Sequence, residues 1–243
     1  MRYGIFSDVH SNLEALSAVL RAYEKEQIDG LMCVGDIVGY AADPAECIRR
    51  VRGLADQVVA GNHDWAVAGR YPIDRFNFYA AQAVQWTNLA LKEGDLEYLS
   101  SLQLVYRQEG IILVHGTLSA PESFDYLSEP AEAEATFEGC AAGEVCFVGH
   151  THVAQIIIQG EDGRIGYAPA TTVTVSGKSK YIVNVGSVGQ PRDRNPEAAY
   201  CIYDTQTSQI TVKRVPYDIQ AARQKIVDAG LPSFLGQRLR SGV

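Results

Sequence analysis

QVVAGNHDW, residues 57–65, is an apolar run that halts on a glycine, an amide, an imidazole, a carboxylate and an indole. The run itself reads as a short strand, Gln57–Ala60. Polar groups directly behind a strand lie where open α/β sheets bind ligands, beyond the carboxyl ends of the strands. The arrangement recurs along the chain. Candidate strands Tyr3–Ser7, Leu31–Val34, Ile111–Val114 and Val145–Val148 deliver Asp8 with His10, Gly35-Asp36, His115-Gly116 and Gly149-His150-Thr151-His152 respectively. The chain has five histidines, and all of them fall in these strand-end segments. Converging, they form a set of imidazole, carboxylate and amide donors without a thiolate. Such a set suits borderline divalent ions (Mn²⁺, Fe²⁺, Co²⁺ or Zn²⁺) and not a structural zinc site. It is too large for one ion, and two ions about 3.5–4 Å apart need a bridge, for which the Asp36 carboxylate is the natural group.

Between the strands lie helix signals. Ser11-Asn12-Leu13-Glu14 reads as a capping box opening a helix to about Glu26, and Asp43-Pro44-Ala45-Glu46 as an N-cap followed by proline at the first helical position. Further helices are expected over Phe76–Lys92, Asp95–Leu102 and Pro130–Cys140. After His152 the texture changes to closely spaced β-rich runs: Ala154–Gln159, Arg164–Tyr167, Thr171–Val175, Tyr181–Val185, Ala199–Asp204 and Gln209–Val215. They read as a second, largely antiparallel sheet, with a last helix from Asp218 to Gly230. No linker, low-complexity tract or repeat interrupts the chain, so residues 1–243 are read as one α/β domain.

Composition narrows the function classes. With 47% hydrophobic and 21% charged residues the chain is ordinary globular material, and no apolar run reaches the ~20 residues of a membrane span. A net charge of −8 argues against a broad nucleic-acid surface while leaving room for a small phosphate-bearing substrate. The five cysteines form no C-x-x-C pair and mostly sit among apolar residues, as reduced thiols of a cytoplasmic protein do. The N-terminus shows no secretion signal.

The ordered set D-x-H (Asp8, His10), G-D (Asp36), G-N-H-D (Asn62, His63, Asp64), His115 and G-H-T-H (His150, His152) resembles the calcineurin-like metallophosphoesterases in their compact bacterial form. The resemblance implies a four-layer αββα sandwich of two mixed sheets with a dinuclear site at the strand ends. It assigns Asp8, His10 and His152 to one ion, Asn62, His115 and His150 to the other, and Asp36 to both. Manganese is the first expectation, with Fe, Zn, Co or Ni also suited. His63 stays off the metals as an acid or phosphate contact, its ring oriented by Asp64. Two such ions would acidify a shared water near neutral pH for attack on the phosphorus of a diester or anhydride, with His63 expected to protonate the leaving oxygen.

Compact members of the family carry a G-S-x-x-x-P-R run beside the site, matched here by Gly186-Ser187 through Pro191-Arg192. Its glycine amides and Arg192 are therefore expected to contact phosphate. Tyr40 is expected to wall the pocket, and Asn12 to cap a helix or brace the site. The implied activity is hydrolysis of small nucleotide-like phosphodiesters or phosphoanhydrides. Protein serine/threonine phosphatase, phosphomonoesterase, nuclease and non-catalytic scaffold are the alternatives. Edge strands of the second sheet leave a homo-oligomer open.

Overall fold

The computed structural model describes residues 1–168 and 170–243. The chain begins with β1 (Arg2–Phe6), α1 (Leu13–Lys25), β2 (Gly30–Cys33), α2 (Pro44–Leu54), β3 (Gln57–Val58) and α3 (Asn62–Val67). Next come α4 (Phe78–Ala90), α5 (Glu93–Ser101), β4 (Val105–Gln108), β5 (Ile111–Val114), α6 (Glu134–Glu138) and β6 (Val145–Val148). The last third holds β7 (Gln155–Gln159), β8 (Ile165–Tyr167), β9 (Thr172–Thr174), β10 (Lys180–Asn184), β11 (Ala198–Asp204), β12 (Gln209–Val215), α7 (Ile219–Asp228) and α8 (Ser233–Gln237).

The strands form two six-stranded mixed sheets, ordered β3-β2-β1-β11-β12-β9 and β4-β5-β6-β10-β7-β8. Alternation of side chains along each strand distributes them into layers. Ile5, Met32, Ile111, Leu113, Val145 and Phe147 meet between the sheets with Val183, Cys201 and Tyr203. Their neighbours Phe6, Cys33 and Ile202 face outward onto Leu16, Val19, Ile48 and Val51 of α1 and α2. On the other side Ile112, Val114, Cys146 and Ile182 receive Ala133 and Phe137 around α6. The αββα sandwich follows from this parity, since strands apolar on both faces need cover on both.

The late strands do not make a sheet of their own, contrary to the sequence reading. β11 pairs antiparallel with β1 and carries β12 and β9 with it. β10 lies parallel to β6 and brings β7 and β8 into the other sheet. A buried strand with only one neighbour would leave a row of amides and carbonyls unpaired, and β1 and β6 are completed by the two late strands instead. At the start of α1 the cap is Asn12, not Ser11: its side chain accepts from the Ala15 amide and also donates to the Gly189 carbonyl. Asp43 precedes α2 but makes no side-chain cap, its carboxylate being taken by Lys225. β3 is shorter than expected because Ala60 leaves the sheet to donate to the Gln103 carbonyl.

Candidate metal centre and substrate cleft

The strands end in sharp turns. Asp8, His10, Asp36, His150 and His152 all adopt the left-handed conformation, with φ between +49° and +66°. For residues with a Cβ this costs about 1–2 kcal/mol each and persists only where the surroundings over-determine it. Here the turns hold one another. The amides of Asp8 and His10 donate to the carbonyls of Gly35 and Asp36, and the Gly149 amide donates to the His115 carbonyl. The two sheets are stitched at the same place by the His150 amide on Asp8 Oδ2 (3.1 Å) and the His115 ring on the Val34 carbonyl (2.7 Å).

The side chains converge in two sets. The donor atoms of Asp8, His10 and His152 lie within 4.8 Å of one another, and so do those of Asp36, His115 and His150. Asp36 Oδ2 stands between the sets, 3.5 Å from His10 Nε2 and 3.3 Å from His115 Nε2. Three imidazoles are tethered through Nδ1 to a backbone carbonyl: His10 to Val38, His115 to Val34 and His152 to Gln190. A donating Nδ1–H leaves the Nε2 lone pair facing inward, the arrangement of metal-ligating histidines. The His10 and His152 Nε2 atoms consequently face each other at 3.0 Å. Among the described residues Asp8 Oδ1, Asn62 Oδ1 and His115 Nε2 are buried without a hydrogen-bond partner. Such orphans cost about 1–3 kcal/mol each. Cations placed among these lone pairs would satisfy them, so the residues present fit divalent metal.

Electrostatics agree. Burial disfavours charge on Asp8, but His152, His10 and His115 outweigh it and keep its pKa well below the usual carboxylate range. Asp36 is held low against burial in the same way, chiefly by His115 and His63. Burial opposes protonation of His115 as well, yet Asp36 and Asp8 raise its pKa to about 10. Burial pushes His150 down to about 3 and His152 to about 4, the charges of His115 and Arg192 adding to it respectively.

His63 is also drawn in: its donor atom lies within 4.8 Å of those of His10 and Asp36. Proximity does not separate it from the ligands, nor does the Nδ1 tether, which His150 lacks as well; the buried His63 Nδ1 has no partner. Tyr40 and Phe76 flank its ring at 4.5 and 4.8 Å. Asp64 does not orient that ring. Its carboxylate accepts the amides of Ile37, Val38 and Gly61 and so locks the turn after β2 onto the start of α3, where three converging N–H groups outbid one imidazole. Burial, with the Asp36 charge adding to it, pushes the Asp64 pKa up to about 7.

The Gly186–Arg192 run differs from expectation too. The Gly186 and Gly189 amides are spent on Asn184 Oδ1 and the Asp8 carbonyl. The Ser187 hydroxyl donates to the Asp8 carbonyl, and the Gln190 carbonyl receives His152. The run is a brace for two ligands, and only Arg192 turns into the cleft. Its Nη2 donates to the Tyr40 hydroxyl (3.2 Å) and Gln190 Oε1 (3.0 Å), and its Nε is buried without a partner.

Asp36, Tyr40, Asn62, His63, His150, His152 and Arg192 line the floor and one side of a cleft of ≈ 300 Å³. The other wall, absent from the sequence reading, consists of Tyr71, Arg75, Phe76, Phe124 and Tyr126. Tyr126 stacks on His150 at 4.1 Å and 14°. The available signal was the aromatic content of the segments that follow Asp64 and His115, both downstream of strand ends.

Comparison with known proteins bears on the whole chain. The description "calcineurin-like phosphoesterase superfamily domain" matches residues 1–208. An uncharacterized protein of Methanocaldococcus jannaschii is 40% identical, over 98% of this chain and 97% of its own length. A metallophosphoesterase crystal structure from Sphaerobacter thermophilus superposes with a TM-score of 0.87 at 38% identity, covering 100% of both chains. A hypothetical protein from Pyrococcus horikoshii shares the fold at TM-score 0.81 and 22% identity, covering 100% of this chain and 98% of its own. With a phosphoester hydrolase fold and a metal-binding cluster at its strand ends, this chain belongs to the calcineurin-like phosphoesterase superfamily.

Proposed function

We propose that the protein hydrolyses phosphodiester or phosphoanhydride bonds of small nucleotide-like substrates at a dinuclear centre. Asp8, His10 and His152 would hold one divalent ion, Asn62, His115 and His150 the other, and Asp36 both, with manganese the first candidate. When bound, two such ions neutralise phosphate charge and acidify a water for attack on phosphorus. The observation that carries this reading is the convergence of buried, unpartnered donor atoms on one polar floor.

The chain's own residues supply the remaining work. Arg192 presents an unpartnered Nε beside the floor and takes phosphate oxygens, while the Tyr40 hydroxyl keeps its guanidinium in place. His63 faces the same cleft with its Nδ1 unpartnered, placed to contact a departing oxygen; burial keeps its pKa well below the usual imidazole value, so it takes up the proton it donates only when an anionic phosphate in the cleft offsets that burial. Tyr71, Phe76, Phe124 and Tyr126 offer flat apolar faces to a base or aryl group. The cysteines are all buried and unpaired, which supports a reducing, cytoplasmic setting. Among the described residues no helix is long and apolar enough to cross a membrane.

The test is hydrolysis of an aryl phosphodiester and the matching monoester by chelator-stripped protein, before and after Mn²⁺ is restored. Diester turnover that returns with the metal is expected. Turnover of the monoester alone would replace the diesterase reading with a phosphatase, and full activity in the stripped protein would end the metal-dependent one.

A further inference from the structure

One aromatic ring of the cleft is mounted differently from the others. Tyr71 meets Phe76 and Phe124 nearly perpendicularly, at 6.0 and 5.1 Å, and those two close further edge-to-face contacts with His63 and Trp65. These rings hold one another in the wall. Tyr126 instead lies flat on the His150 imidazole, with 4.1 Å between centroids and 14° between planes, and is 54% exposed. Among the described residues that line the cleft it is the one exposed aromatic side chain. His150 covers one of its faces, so the opposite face is the one left open.

The backbone beneath this open ring is fixed. Phe124 and Leu127, on either side, are buried, and the Leu127 carbonyl accepts from Gln155 Nε2 (3.2 Å). The same segment passes so close to Gly116 that a Cβ added there would lie 2.9 Å from the Asp125 carbonyl oxygen. A tyrosine has only two side-chain torsions to lose on binding, and the contact with His150 already restrains them. An aromatic face held open in this way suits a planar base, since every base has a π-face to stack.

We propose that Tyr126 determines specificity by stacking on a planar base carried by the ester group that stays on phosphorus, an assignment that rests on the diester hydrolysis proposed for this site. The donor atoms of His63 group with those of His10 and Asp36, and those of His150 with His115 and Asp36, so the two rings stand on either side of the Asp36 carboxylate. A diester whose leaving oxygen turns to His63 has its other ester oxygen on the side of His150 and Tyr126. A nucleotide carries its base one sugar away from phosphorus, which lets the base pass the His150 ring while the phosphate stays on the floor. Hydrolysis breaks the P–O bond to the leaving alcohol; water gives its oxygen to phosphorus and a proton to the alcohol. The product is a nucleoside monophosphate still stacked on Tyr126.

Two diesters with a common leaving group test the proposal: the nitrophenyl ester of thymidine monophosphate and methyl nitrophenyl phosphate, given to manganese-loaded wild type, Tyr126→Phe, Tyr126→Leu and Tyr126→Ala. Wild type should prefer the thymidine ester in kcat/KM, and Tyr126→Phe should keep that preference. The leucine and alanine variants should lose about 5–150-fold of it, the range found for one base on one aromatic ring. Equilibrium binding of thymidine monophosphate against deoxyribose phosphate, which lacks the base, should show the same loss without turnover. Unfolding midpoints should stay near wild type because the side chain is exposed. An equal fall on both esters with metal content lowered would overturn the proposal and leave Tyr126 as a brace for His150. An equal fall with metal content intact would overturn it by placing the ring against the leaving group, and so would thymidine monophosphate binding that Tyr126→Ala does not weaken. A wild type that turns over neither diester would overturn the diesterase reading itself, and the retained-group assignment with it.

Discussion

Gly61→Ala should damage the candidate centre without touching a ligand. Gly61 sits at φ −95° and ψ 169°, extended backbone that alanine adopts freely, so no conformational strain is introduced. The obstacle is steric. An added Cβ would lie 2.0 Å from Asp36 Oδ1, 2.4 Å from the Asp36 amide nitrogen and 2.6 Å from its carboxyl carbon. Restoring an ordinary contact of 3.4 Å moves that carboxylate by more than about 1 Å and breaks its 2.9 Å bond from the His63 amide. Overpacking of this kind costs about 1–3 kcal/mol, and a lost hydrogen bond to a charged group about 1.5–3 kcal/mol more. Domains of this size are stable by about 5–15 kcal/mol, so the variant should still fold. Metal sites tolerate about ±0.2 Å, and a 1 Å misplacement of reacting groups costs about 10²-fold. We therefore expect kcat/KM for an aryl phosphodiester to fall about 10²-fold, together with a metal content per chain below wild type. Gly53→Ala is the control: that glycine lies in α2 with no heavy atom within 4 Å of the added Cβ, and alanine there should stabilise by about 0.5–1 kcal/mol with activity unchanged. Gly61→Ala protein that binds metal fully and turns over within threefold of wild type would refute the reasoning.

Further outcomes separate the roles of individual side chains. His63→Ala should retain metal and stability but lose about 10²–10⁴-fold in kcat on diesters with poor leaving groups, and much less on nitrophenyl esters; equal losses on both would remove it as the proton donor. Asp64→Ala leaves the Gly61, Ile37 and Val38 amides without an acceptor at about 1–3 kcal/mol each, so its signature should be a lowered unfolding midpoint, and an unchanged midpoint with a shifted pH profile would contradict that role. Arg192→Ala should lower kcat/KM about 10–150-fold, the worth of about 1.5–3 kcal/mol of charged hydrogen bonding, and Arg192→Lys should recover only part of it; steady-state kinetics on a small diester reads this directly. In metal-free protein the His115 pKa is raised to about 10, so its proton stabilises the fold fully below the ordinary imidazole value of about 6.5, and that contribution is lost as pH rises towards about 10. Metal needs the neutral ring, so loading at pH 7 should release a proton and tighten as pH rises; calorimetric titration in buffers of different ionisation enthalpy that detects no release would refute this.

Much of the molecule was legible in the chain because the relevant signals are local. Val145–Val148 and Gln209–Val215 were read to the residue, since a β-rich run bounded by turn residues needs no distant information. The candidate ligands were legible because His, Asp and Asn behind apolar strands have few other uses there, and because the motifs occur in order. Asp64 was misassigned for the opposite reason. Its neighbour in sequence is His63, but its carboxylate points to amides 26 and 27 residues earlier. The glycine amides of the Gly186–Arg192 run were misread alike, as their acceptors include the carbonyl of Asp8, about three-quarters of the chain away.

The sequence alone determined the α/β class, the strand-end position of the site and the chemical type of its donors, since side-chain periodicity and residue chemistry depend on neighbours a few positions apart; the αββα sandwich was implied only by the family resemblance of its motifs. Only the tertiary structure decided which sheet β9 through β12 join, that Phe124 and Tyr126 wall the cleft, and that Asp8, His10, Asp36, His150 and His152 stand in left-handed conformations. Aspartate and histidine tolerate that backbone better than most residues with a Cβ, but it still costs each of them free energy. It exists because hydrogen bonds between turns far apart in the chain, formed once the two sheets meet, outweigh the strain at each residue.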